Sequence, residues 1–222
     1  AVHVSRNGTY VTTPNLATEK DGDVTVKVQT DVQNDSSAQA AAQIRTTVLD
    51  AEGKAVSEAV TTDVTLAANS TAEKEQTLKV NKPALWSTEN PNLYYVQTEV
   101  LVDGKVKDTY KTTYGFRYIN FDANTGFSLN GKNVKLKGVC MHHDQGALGA
   151  ASERDAVYRQ VKKLKEMGCN AIRTSHNTPS SVLLEACNEL GMMVMDETFD
   201  GWAFPKNGTS QDFSTHFNQT IS

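Results

Sequence analysis

The 222 residues carry 22 Lys and Arg against 26 Asp and Glu, a formal net charge of −4. That balance supplies no basic surface for a nucleic-acid backbone, so nucleic-acid binding is disfavoured. No apolar stretch reaches the roughly 18 residues a bilayer-spanning helix needs, so no membrane partner is expected either.

At this length the chain holds one large domain or two ordinary ones. The first residues show no charged stretch leading into an apolar one, and a leader removed earlier would leave no trace here. The three cysteines, Cys140, Cys169 and Cys187, are odd in number and lack C-x-x-C spacing, so they read as free thiols. Cys140 is expected to be a small buried core residue at a strand end.

Up to about Arg117 the pattern is all-β. Val24, Val26 and Val28 alternate with Thr25, Lys27 and Gln29, and Ile44, Thr46 and Val48 repeat the period before a turn at Asp50 to Gly53. Tyr94, Val96, Val100 and Val102 point one way, Gln97 and Glu99 the other, and Asp103-Gly104 is a favoured hairpin turn. Strands at this spacing suggest a seven-strand sandwich of immunoglobulin type.

From Phe127 the periodicity changes. A hairpin turning at Asn130-Gly131 leads into a strand over Val134 to Cys140. A helix is predicted from about Glu153 to Met167, with Ser152 as N-cap and Gly168 after its end. A strand over Ala171 to Thr174 follows, then a helix starting at Pro179 and closed by Gly191, then a strand over Met192 to Met195. Strand, helix, strand, helix, strand describes right-handed β/α units, of an open sheet or of a barrel. No Gly-rich turn follows the first strand, so no phosphate cradle is present.

Each of these strands ends in chemically capable residues: Met141-His142-His143-Asp144, Ser175-His176-Asn177 and Asp196-Glu197. In β/α folds the functional groups sit at those ends. His142 and His176 are the first candidates, because a neutral imidazole offers one donor and one acceptor to a polar ligand. Arg173 lies within a strand, so its charge needs a partner, Asp196 or Glu197. Asp196 and Glu197 are adjacent and point to opposite faces, so they cannot flank one glycosidic bond as an acid and nucleophile pair. Asp200 and Trp202 complete the third loop: an indole stacks on a sugar ring and a carboxylate accepts from its hydroxyls, while packing of Trp202 with Phe199 and Phe204 is the plain structural alternative. A metal site at His142, His143 and Asp144 is disfavoured, since neighbours on an extended segment diverge.

The run Gly126 to Lys132, then Lys137-Gly138-Val139-Cys140-Met141-His142-His143, Asn170 to Asn177 and Asp196-Glu197, resembles glycoside hydrolase family 2. Leu85-Trp86-Ser87, Asn90 to Tyr94 and Tyr114-Gly115-Phe116-Arg117 resemble the end of that family's immunoglobulin-like domain. The resemblance implies a multidomain β plus α/β fold: an immunoglobulin-like β-sandwich over 1–117 and the first three units of a truncated (β/α)8 TIM barrel over 118–222. It implies a β-glycoside sugar as substrate, most simply a β-galactoside, with a β-glucuronidase, a β-mannosidase or a non-catalytic carbohydrate-binding protein as alternatives.

Under the same resemblance His142, His176, Asp200 and Trp202 bind substrate, and Arg173, Asp196 and Glu197 support the active site. Both catalytic glutamates would come later than this chain, because the Asn-acid pairs here, Asn34-Asp35 and Asn188-Glu189, fall in the sandwich and inside a helix. The chain alone is therefore expected to be inactive. The family's magnesium-dependent β-galactosidases carry a Glu and a His where Gly201 and Ala203 stand, so that metal site is not carried over, and no cofactor is expected. An open strand edge favours self-association, a homo-oligomer included. A periplasmic or secreted bacterial protein is favoured over a cytoplasmic one.

Overall fold

The alternating valines of the first half build long strands. In the computed structural model, which describes residues 1–198, β1 (Val2–Thr12), β2 (Asp23–Asn34) and β5 (Ser70–Asn81) form one antiparallel sheet. A second sheet has the order β4 (Val60–Leu66), β3 (Ala40–Leu49), β6 (Tyr94–Val102), β7 (Lys105–Tyr114). A single helical turn, α1 (Leu16–Glu19), links β1 to β2. These are the seven strands of the expected sandwich. Val24, Val26, Val28, Ile44, Val96 and Val100 are fully buried between the sheets.

The sandwich interior is divided along the strands. One apolar cluster contains Val24, Val26, Val28, Val48, Leu78, Val80, Val96 and Phe116. The other contains Val4, Val32, Ile44, Val64, Leu66 and Val100. Between them β2, β3, β5 and β6 each place one polar residue at an inward position: Thr30, Thr46, Gln76 and Thr98, all buried. Gln76 on β5 reaches the opposite sheet, donating to the Ile44 carbonyl at 3.1 Å and the Val60 carbonyl at 3.0 Å and accepting from Thr46 Oγ1 at 2.6 Å. A buried amide is tolerated only when it is satisfied in this way.

Two turns follow their sequence signals. Asp103 and Gly104 have φ of 51° and 70°, and Asn130 and Gly131 have 52° and 77°, the left-handed pair that a two-residue hairpin demands. The second turn joins β9 (Gly126–Leu129) to β10 (Lys132–Asn133), with β8 (Ile119–Asp122) on the other side of β9. The Asn130 side chain donates to the Trp86 carbonyl at 2.9 Å and accepts from the Tyr118 amide at 3.1 Å. Gly115 is required beside Trp86, because a Cβ there would lie 2.9 Å from the Trp86 Cβ. Arg117 stacks on the same indole, 4.7 Å from its centroid.

By its contacts the chain divides into Ala1–Val134 and Lys135–Ser222. In the second unit β11 (Gly138–Met141), β12 (Ala171–Thr174) and β13 (Met193–Met195) form a parallel sheet in that order. The first of these strands begins later than the sequence suggests. Two helices connect them, α2 (Arg154–Glu166) and α3 (Ser181–Leu190). Their apolar faces, with Val157, Val161, Leu183, Ala186 and Cys187, pack on Ile172 and Met192.

The two helices start one or two residues later than the sequence predicts. Glu153, not Ser152, occupies the N-cap of α2 and makes no side-chain cap bond. Ser180 caps α3, its Oγ accepting from the Leu183 amide at 3.3 Å, so Pro179 precedes the helix. The ends were read correctly: Gly168 and Gly191 have φ of 89° and 70°, as C′ glycines do.

Candidate active-site rim

Register decides which side chains share a face. Cys140 on β11, Arg173 on β12 and Met195 on β13 are paired across the parallel sheet, and side chains in one such row stand on one side. Ile172 and Thr174 take the other side, buried with the helices. The helices thus cover one face, while Cys140 and Met195 are exposed and the Arg173 side chain is 40% exposed. The expectation of a buried Cys140 is corrected by this register: the residue belongs to the row of Arg173, not to that of Ile172. Gly138 permits the close approach of β11 to β12, since a Cβ there would fall 2.2 Å from the Ala171 carbonyl oxygen.

Arg173 takes Glu197 as its partner. Nε and Nη2 both lie 2.5 Å from Glu197 Oε1. The other carboxylate oxygen, Oε2, is 2.8 Å from His176 Nδ1. The Glu197 backbone N–H donates to Thr174 Oγ1 at 3.0 Å, which fixes where the side chain starts. The remaining guanidinium nitrogen, Nη1, contacts Ser175 Oγ at 3.3 Å and Cys140 Sγ at 3.4 Å. Asp196 goes elsewhere: it is exposed, and its Oδ1 lies 3.4 Å from Thr174 Oγ1.

The charges respond to this arrangement. Hydrogen bonds from His176 and then Arg173 hold the Glu197 carboxyl below its ordinary value. Contacts with Cys140 and Glu197 raise Arg173 further. Ser175 and Arg173 together lower the Cys140 thiol. A glutamate that is kept ionised, with both oxygens engaged, is a poor proton donor, and its neighbours make the rim a hydrogen-bonding surface and not an acid.

The structure brings His142 and His176 together, edge to face, with ring centroids 5.8 Å apart. His142 is exposed, and the His176 side chain is partly covered at 34% exposure. A small hollow nearby is walled by Met141, His142, His143, Gln145, Thr174 and Ser180, among others. Arg173, His176 and Glu197 do not line this hollow. Asp200 and Trp202, with Phe199, Gly201, Ala203 and Phe204, fall outside the described residues. Among the described residues no group of three or more His, Cys, Asp and Glu is placed to hold a metal ion.

Sequence reasoning names Ser175 at its strand end without a partner, and misses Thr174 and Cys140 as members of the cluster. The signal for Thr174 was available: a polar residue two positions after Ile172 falls on the helix-facing side and needs a partner there. Cys140 becomes visible only once the register of β11 against β12 is known.

Residues 2–117 match the family described as Glycosyl hydrolases family 2, and residues 123–219 match its TIM barrel domain. A β-galactosidase of Bacteroides ovatus is 39% identical over 98% of this chain, which spans 25% of that protein. A β-glucuronidase of Bacteroides fragilis is 35% identical over 54% of the chain and 17% of its own length. Among solved structures, a glycosyl hydrolase family 2 member of Bacteroides cellulosilyticus superposes with a TM-score of 0.86 at 39% identity, over 98% of this chain and 27% of that one. A β-glucuronidase of Bacteroides uniformis does so with a TM-score of 0.83 at 30% identity, over 93% of this chain and 25% of its own. The chain thus spans about a quarter of the length of these fuller-coverage relatives.

Proposed function

The chain belongs to glycosyl hydrolases family 2, and from that membership we propose that it is the glycone-facing portion of a retaining exo-β-glycosidase acting on β-galactosides. In this reading residues 1–117 are the immunoglobulin-like sandwich, and 118–222 begin a (β/α)8 barrel whose interior is the face bearing Arg173. The observation that carries it is the cluster of Arg173, Glu197 and His176 with His142 beside it, raised at the C-terminal ends of parallel strands. Such a rim holds sugar hydroxyls. Asp200 and Trp202 would add a carboxylate and an indole to the same subsite.

Double displacement needs two carboxyls about 5–5.5 Å apart across the scissile bond. Glu197 is committed to Arg173 and His176, and Asp196 is its direct neighbour, so these two are not the catalytic pair; the family resemblance implies that both catalytic glutamates come from later units of the barrel. Galactose is preferred because similarity to a β-galactosidase extends over nearly the whole chain. The β-glucuronidases among the relatives make a glucuronide the second reading.

The test is to assay aryl β-galactoside, β-glucuronide and β-mannoside with this chain alone and with the longer protein that carries it. No turnover by the chain and hydrolysis of the galactoside with retention by the longer protein is the expected result. A longer protein that binds sugar without turnover would make this a carbohydrate-binding scaffold and overturn the proposal.

A further inference from the structure

We infer that Glu197 is a positioning residue that holds the proton of His176 on Nδ1, leaving Nε2 as a bare hydrogen-bond acceptor that selects a sugar hydroxyl over a carboxylate. This deepens the glycosidase reading and rests on it for the identity of the ligand.

Three contacts decide it. Arg173 brings two guanidinium nitrogens to Glu197 Oε1, both at 2.5 Å, so the carboxylate is ionised and can only accept. Its second oxygen lies 2.8 Å from His176 Nδ1, and two lone pairs facing each other at that distance would repel. Nδ1 therefore carries a proton. Arg173 Nη2 also lies 3.5 Å from Nδ1. A guanidinium only donates, so that contact would need a bare Nδ1. It is the longer contact by 0.7 Å, and it loses.

A neutral imidazole protonated at Nδ1 has its lone pair at Nε2. Among the described residues Nε2 has no hydrogen-bond partner, and the side chain is 34% exposed. A hydroxyl satisfies that atom by donating. An ionised carboxylate brings only lone pairs and is disfavoured there. The anchoring is deep in the strand: the Glu197 amide is tied to Thr174 Oγ1 at 3.0 Å, and Thr174 is buried. Glu197 thus transmits a fixed orientation from the sheet to the ring.

The experiment uses the 222-residue chain with histidine labelled by nitrogen-15, at a pH where the ring nitrogens themselves report a neutral His176. The expected result is a proton-bearing Nδ1 and a bare Nε2 in the wild-type chain, and loss of that single tautomer in Glu197→Gln. A neutral wild-type ring with a bare Nδ1 overturns the inference whether or not any variant folds. A folded Glu197→Gln that keeps the same tautomer also overturns it. Sugar is absent from this step, so its outcome is independent of the glycosidase reading. Methyl β-D-galactoside is then added, and the Nε2 resonance is expected to shift. If His142 responds while Nε2 does not, selection of a hydroxyl at that atom is wrong. If neither ring responds, the glycosidase reading and the hydroxyl selection both fall, while the tautomer result remains as measured.

Discussion

Glu197 makes the rim sensitive to acid in a defined direction. Its carboxyl is depressed by His176 and Arg173, and a depressed acid contributes stability that is present above the unfolded value, about 4.3, and lost as pH falls through the folded one. Thermal melts of wild type and Glu197→Gln should differ at neutral pH and converge as the pH drops below about 4. A gap that widens on acidification would contradict the ion pair. The thiols offer a second check. Cys140 is exposed and its thiol is lowered by Ser175 and Arg173, whereas burial pushes Cys187 up to about 12. At about pH 8 a disulfide reagent should label Cys140 quickly in the native chain and Cys187 only on unfolding. Equal rates would contradict the exposure of Cys140 and the burial of Cys187. At this scale the sequence was half legible. His142 and His176 were readable from their places after strands, and the charge of Arg173 demanded a carboxylate. The choice of Glu197 over Asp196 was not readable, because it depends on which of two adjacent side chains faces the row of Arg173.

Among the elements, the strands carry a polar layer that period-two alternation reads only as inward positions. Thr46 was placed inside by its neighbours Ile44 and Val48, but nothing in spacing says that Gln76 from the other sheet will meet it at 2.6 Å. Replacing Gln76 by Leu removes a brace between the sheets and leaves the Ile44 and Val60 carbonyls without their side-chain donor. That change should cost about 2–3 kcal/mol in urea unfolding. Thr30 Oγ1, in the same layer, has no partner among the described residues. Thr30→Val should therefore be neutral or stabilising by about 1 kcal/mol. Equal losses from both substitutions would contradict the division of the core. Helix ends were legible and helix starts were not, for a physical reason. A C′ glycine is demanded by a left-handed backbone, whereas several nearby polar residues compete for an N-cap, as Thr178, Ser180 and Ser181 do at the start of α3.

For the whole molecule, the seven-strand sandwich and the three parallel strands followed from a change of period near Phe127, and family membership rests on both regions. Among the described residues of the second unit the helices cover one face of the sheet and nothing covers the other, with Met195 53% exposed. Among the described residues β11 and β13 are each paired on one side only. Such edges and faces recruit further copies, so sedimentation velocity should show mass-dependent association as the chain is concentrated; a strict monomer throughout would count against an open face. If the rim faces a β-galactoside in the longer protein, kcat/KM on an aryl β-galactoside for that protein should fall by about 100-fold or more on His176→Ala, as it does when a substrate is misplaced. An unchanged kcat/KM in the variant would contradict it.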